Sequence, residues 1–140
     1  MNMKDAVVSV LTNWNNYRDR ACRSEFWYFT LAALLISLII SIIEIATGMV
    51  DIESDEWKII YIATGMLESG SDELGILSFI YSLLLLPPSI SVTARRLHDR
   101  GCSGWWQLLY LTIIGTLVIT VLTVLPATED ENKWGRNPLK

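Results

Sequence analysis

The residues able to do chemistry gather in two short stretches. The first is Arg95-Arg96-Leu97-His98-Asp99-Arg100-Gly101-Cys102-Ser103-Gly104-Trp105-Trp106, and the second, far upstream, is Arg18-Asp19-Arg20-Ala21-Cys22-Arg23-Ser24-Glu25-Phe26-Trp27-Tyr28. A guanidinium binds carboxylates and phosphates through paired N–H donors in a fixed fork. Asp99 and Glu25 offer carboxylates to Arg95 and Arg96, and such pairs would tie the two stretches into one rigid cap. Gly101 and Gly104 let the backbone turn sharply between them. Left over, the arginines could take an anionic ligand such as a lipid headgroup. His98 beside Asp99 could move a proton, and the arginines could hold a phosphate while it did so. Against catalysis, the sequence offers neither an evident nucleophile nor a cluster of metal-binding carboxylates. His98, Asp99, Cys102 and Cys22 have zinc-ligand chemistry but no zinc-ribbon spacing. The candidate set is therefore Arg18, Arg20, Arg23, Glu25, Trp27, Arg95, Arg96, His98, Asp99, Gly101, Ser103, Gly104, Trp105 and Trp106. It reads as an anionic-ligand site or a structural cap, with no catalytic, cofactor or metal residue assigned.

The elements that must position these residues are membrane helices. Of the 140 residues 51% are hydrophobic, and they collect in long blocks, as in a chain solvated by lipid. Apolar blocks run over about 26–47, 74–94 and 105–125, each roughly 21 residues or about 30 Å of helix, one hydrocarbon thickness. The fold class expected is an all-α membrane protein of one domain: three transmembrane helices preceded by an interfacial amphipathic helix. In that helix Val7, Val10, Leu11 and Trp14 share one face. Residues 95–104 are then a cytoplasmic motif loop and 48–73 an acidic external loop, with an apolar island at Trp57–Met66 too short to span.

Orientation follows the basic residues. Lys4, Arg18, Arg20 and Arg23 precede the first block, and Arg95, Arg96 and Arg100 lie between the second and third. Only Lys58 lies between the first and second. The N-terminus is thus expected in the cytoplasm and the tail, after three crossings, outside. Lys133, Arg136 and Lys140 in that tail dissent. The first block reads as an uncleaved signal anchor. The two cysteines fall on the reducing side, so no disulfide is expected. Nucleic acid is excluded as a partner, because no basic face is large enough to track phosphates.

Within the blocks, Ala33, Ser37, Ser41 and Glu44, then Ser78 and Ser82, then Thr112, Thr116 and Thr120 recur at three- or four-residue spacing along one helical face each. Such stripes let helices pack closely. Glu44 is expected to reach the outer headgroups. Pro87-Pro88 should kink the second block and free the carbonyls of residues 83 and 84.

The order Arg-x-Arg-Ala-x-Arg-x-Glu-Phe-Trp, then Arg-Arg-Leu-His-Asp-x-Gly-x-Ser-Gly-Trp-Trp, then Asn132-x-Trp134-Gly135-x-Asn137-Pro138 resembles the YhaH-type bacterial inner-membrane family, domain of unknown function 805. The resemblance implies a small multi-pass inner-membrane protein and supplies no catalytic residues. Cys22 and Cys102 occupy variable slots of its motifs. Three functions follow as expectations. The first is a non-enzymatic module that binds anionic lipid or a protein partner through the cap. The second is a subunit of a homo-oligomeric transporter or channel, and the third an enzyme acting on a lipid phosphate.

Overall fold

The computed structural model describes residues 1–48, 76–128, 130–136 and 138, so the acidic loop with its apolar island and Lys58 lies outside the described residues. The elements are helices α1 (Met3–Thr12), α2 (Arg23–Ala46) and α3 (Ile76–Asp99), a 3-10 helix (Gly104–Leu111), α4 (Ile113–Val124), and two short strands, β1 (Glu131–Asn132) and β2 (Gly135–Arg136). The chain forms two compact units, residues 30–86 and residues 1–29 with 87–140.

Residues 30–86 hold most of α2, a long apolar helix. No charge interrupts α2 between Phe26 and Ile43. At 24 residues it is about 36 Å long, enough to cross a bilayer with some tilt. It stops at Gly48, which has a left-handed φ of 68° that costs glycine little. Ser37, Ser41 and Thr47 donate their hydroxyls to carbonyls three or four residues back in the same helix. These three hydroxyls are thus satisfied within the helix, which is the condition for residence in hydrocarbon. Glu44 does not reach outward. It is buried and accepts from the backbone N–H (2.9 Å) and hydroxyl of Ser78 in the first turn of α3. A carboxylate there meets both the orphan N–H groups and the positive end of the helix. The Tyr81 hydroxyl donates to the Ala33 carbonyl at 2.9 Å, so within this unit α2 and α3 are antiparallel.

Among the described residues two helices, α2 and α3, are long and apolar enough to cross a membrane, with mean hydropathies of 2.5 and 1.7 over their most apolar windows. Only 17% and 22% of those windows are buried. A core helix of a water-soluble protein buries such a stretch, whereas these helices turn Leu34, Ile39, Ile42, Leu83 and Leu84 outward. Pro87 and Pro88 do not end α3, which continues to Asp99. Residues 95–99, expected in a loop, are therefore its last helical turns.

In residues 1–29 with 87–140, α1 starts at Asn2, whose side chain caps Asp5 N–H at 2.8 Å. Ala6 and Val10 are buried, while Val8, Leu11 and Trp14 are exposed. The single helix expected over 105–125 does not form. Residues Gly104–Leu111 are 3-10, Thr112 is extended (φ −124°, ψ 145°), and α4 restarts with the Thr112 hydroxyl accepting from Gly115 N–H at 3.1 Å. The two pieces pack against each other. A Cβ on Gly115 would lie 2.0 Å from the Leu109 carbonyl oxygen, so only glycine permits this close approach.

Candidate functional site

The site is built where α3 ends. His98 O accepts from Gly101 N–H (2.9 Å) and Leu97 O from Cys102 N–H (3.0 Å), with Gly101 left-handed at φ 74°. This pair of bonds is the Schellman helix terminus, and it explains the first glycine of the motif. Ser103 then caps the 3-10 helix through Trp105 N–H at 3.4 Å. Gly104 brings that helix against α3, since an added Cβ would lie 3.2 Å from Ala94 Cβ. The Gly-x-Ser-Gly spacing thus ends α3 and turns the chain within a few residues.

Three guanidiniums and two carboxylates are buried here. Arg20 meets Asp99 at 2.8 Å and Arg95 meets Glu25 at 2.9 Å; Arg96 also bonds Asp99. All five side chains are at most 6% exposed. Removing charges this far from water is costly unless donors and acceptors are matched. Arg96, fully buried, donates to the carbonyls of Thr123 (3.0 Å), Ala21 (3.5 Å) and Leu125 besides Asp99. Thr123 and Leu125 lie at the C-terminus of α4, where the helix dipole is negative. Arg100 donates to the next carbonyl, Pro126 O. Arg20 donates to Asp99 and to Gly135 O at 2.9 Å. Glu25 accepts a further bond from the Ser9 hydroxyl at 2.9 Å, which fastens α1 to the cap. The Ser91 hydroxyl lies 2.9 and 2.7 Å from the carbonyl oxygens of Asn13 and Asn16 and fastens the link after α1. Arg95 Nε and Nη2 are buried without a hydrogen-bond partner among the described residues.

His98 and Asp99 do not form a relay. The Asp99 carboxylate is occupied by Arg20 and Arg96. His98 Nδ1 instead lies 3.3 Å from the Asp19 carbonyl oxygen, and its ring stacks on Trp134 with centroids 3.6 Å apart and planes within 3°. Asn132 Nδ2 donates to His98 O at 2.9 Å. Strands β1 and β2, joined around Lys133 and Trp134, hold these tail residues in place through the pairs Glu131–Arg136 and Asn132–Gly135. The tail, expected across the membrane from the motif, therefore packs directly on it. With 105–125 broken at Thr112 and folded back, both ends of that stretch lie at the cap.

The remaining candidates form an exposed rim. Arg18, Arg23, Trp27, Trp105 and Trp106 are all exposed. Trp27 is anchored by its indole N–H, which donates to Thr123 O at 3.4 Å. Arg23 and Trp27 are one turn apart on the same face of α2. Sequence reasoning missed Ser9, Ser91, Thr123 and the acceptor carbonyls, none of which has a side-chain signal. The tail residues Asn132, Trp134 and Gly135 were visible only as a pattern, without a role. Among the described residues no group of His, Cys, Asp and Glu converges as metal ligands do.

Long helices that turn apolar residues outward, together with a buried arginine clamp, fit a small membrane protein. The chain belongs to the family described as a protein of unknown function, DUF805, whose model matches residues 14–136. Its relatives include the inner membrane protein YhaH of Escherichia coli K12, 33% identical over 135 residues and 96% of each chain. The inner membrane protein YhaI of the same strain is 32% identical over 132 residues, 94% of this chain and 92% of the relative. No solved structure shows a significant match.

Proposed function

We propose that the chain is a two-span, non-enzymatic module of the bacterial inner membrane, with both ends in the cytoplasm, that holds anionic lipid headgroups at the exposed rim of its arginine cap. The observation that carries this reading is the sorting of the arginines. Arg20, Arg95 and Arg96 are buried against Asp99, Glu25 and carbonyls, whereas Arg18 and Arg23 are exposed, Arg23 one turn from the exposed Trp27 at the head of an apolar helix. Exposed cations with interfacial aromatics are what a negatively charged leaflet attracts, by about 1 kcal/mol per residue. Once the tail lies with the cap, Lys133 and Arg136 join the other basic residues, and of the 11 Lys and Arg only Lys58 falls between the two spans. The positive-inside rule then has no dissenting loop. In this reading α1 lies in the interface, buried by Ala6 and Val10 on the protein side, with Val8, Leu11 and Trp14 turned to lipid and Lys4 reaching headgroups along its stem.

The test replaces Arg18 and Arg23 together by Glu and extracts the protein in native lipid discs. Mass spectrometry should find anionic lipid retained by the parent and lost from the variant, at unchanged helicity and thermal stability. Equal retention would remove the proposal. Arg95 and Arg96 are unsuited to this test, because they hold the fold.

A further inference from the structure

We infer that residues Gly104–Val124 form a half-membrane hairpin, entering the leaflet on the cap's side and returning to it, with its tip among the acyl chains near the bilayer centre. This rests on the reading that the cap sits at one membrane interface, but not on which side that is.

Both ends of the hairpin are pinned at the cap. Gly104 abuts Ala94, and the carbonyls of Thr123 and Leu125 are held by Arg96. Neither arm can span. The descending arm is 8 residues of 3-10 helix, about 16 Å long. The returning arm is 12 residues of α-helix, about 18 Å long. Each matches half of a hydrocarbon core of about 30 Å. The turn is made possible by Thr112, which is extended, and by Gly115, which admits the Leu109 carbonyl.

The chemistry of the surface names the occupant. No residue from Gly104 to Leu125 is charged. Exposure is greatest at the tip, with Leu111 at 85%, Ile113 at 86% and Ile114 at 76%. The hydroxyls of Thr112, Thr116, Thr120 and Thr123 each donate to a carbonyl three or four residues back. A surface that carries no charge, whose threonine hydroxyls are self-satisfied and whose other polar side chains are Gln107 and Tyr110 in the descending arm, suits hydrocarbon better than water. Trp105 and Trp106, exposed at the entry, belong at headgroup level.

The experiment uses the full chain in bilayers of defined phospholipid, with Cys22 and Cys102 changed to Ser. Nitroxides are placed singly at positions 105, 111, 113 and 125, and their depth is read from relative accessibility to oxygen and to a water-soluble nickel chelate. A half-membrane hairpin predicts labels 111 and 113 about 15 Å deep, with 105 and 125 both shallow. Thiols introduced at Arg18 and Lys133 should then be modified by an impermeant reagent from the same side. Labels 105 and 125 on opposite sides would overturn the inference, and so would a uniformly shallow profile. Low accessibility of label 111 to both relaxants would mean that a second copy covers the tip, which also overturns it. If Arg18 and Lys133 both react from the periplasmic side, the hairpin stands and the orientation proposed above fails. Gly115→Ala supplies a second check: it should abolish the depth of label 111, and an unchanged profile would contradict the close turn.

Discussion

The two units of this protein solve the same problem in opposite ways. Both must satisfy polar groups where water is scarce. In residues 30–86 the hydroxyls of Ser37, Ser41 and Thr47 turn back on their own helix, and the polar contacts described between helices are Glu44 with Ser78 and Tyr81 with Ala33. In the cap the buried charged groups and His98 are held by residues far away in sequence: Arg20 meets Asp99 and Gly135, Arg95 meets Glu25, Arg96 meets Thr123 and Leu125, and His98 accepts from Asn132 through its carbonyl and stacks on Trp134. Locally satisfied segments tolerate change one residue at a time. A network that draws on five segments of the chain fails as a unit.

That contrast can be broken by substitution, and the largest effect is expected at its centre. Asp99→Asn leaves Arg20 and Arg96 buried against a neutral amide. Loss of one partner from a buried ion pair costs about 3–5 kcal/mol, so thermal unfolding in discs should show severe loss of stability. A small change would mean that water reaches the cap. Gly115→Ala comes next. Its methyl cannot fit beside Leu109, and overpacking of this kind costs about 1–3 kcal/mol, read as a lower unfolding temperature. Trp134→Ala should cost about 1 kcal/mol for the lost stack on His98 and expose the tail to limited proteolysis, with the helices intact. At the other extreme, Ser41→Ala in the apolar unit removes a hydroxyl that bonds only its own helix. Stability should change by less than about 0.5 kcal/mol. If it changed as much as Asp99→Asn, the distinction between local and networked polar groups would collapse.

Much of the apolar unit was legible, because length and hydropathy are local properties. The long uncharged runs of the first two blocks correspond to α2 and α3. The third block has the same length and hydropathy, yet it folds as two pieces. What separates it is a steric fact at Gly115 and an extended Thr112, and neither alters a composition window. In the cap, Glu25 and Asp99 were recognisable as partners for arginines because only two carboxylates stand inside the motifs beside Asp19. The acceptor carbonyls of Thr123, Leu125 and Gly135 were not recognisable, since every residue has one. The packing of the tail on the end of α3 was not legible for a related reason: the stack of Trp134 on His98 and the bond from Arg20 to the Gly135 carbonyl join segments far apart in sequence. Glu44 was assigned to headgroups from its position near a helix end, whereas its partner Ser78 lies in a different helix.

The central claim is that the tail locks onto the end of α3. It is tested most directly by replacing His98 and Trp134 together by Cys, in a chain whose native cysteines are Ser, and treating intact membranes with a short thiol-to-thiol cross-linker. The stacked rings at 3.6 Å predict efficient cross-linking within one chain, detected as a linked peptide pair after digestion. If both thiols react with single-headed reagent yet never link, the tail lies elsewhere and the account is wrong.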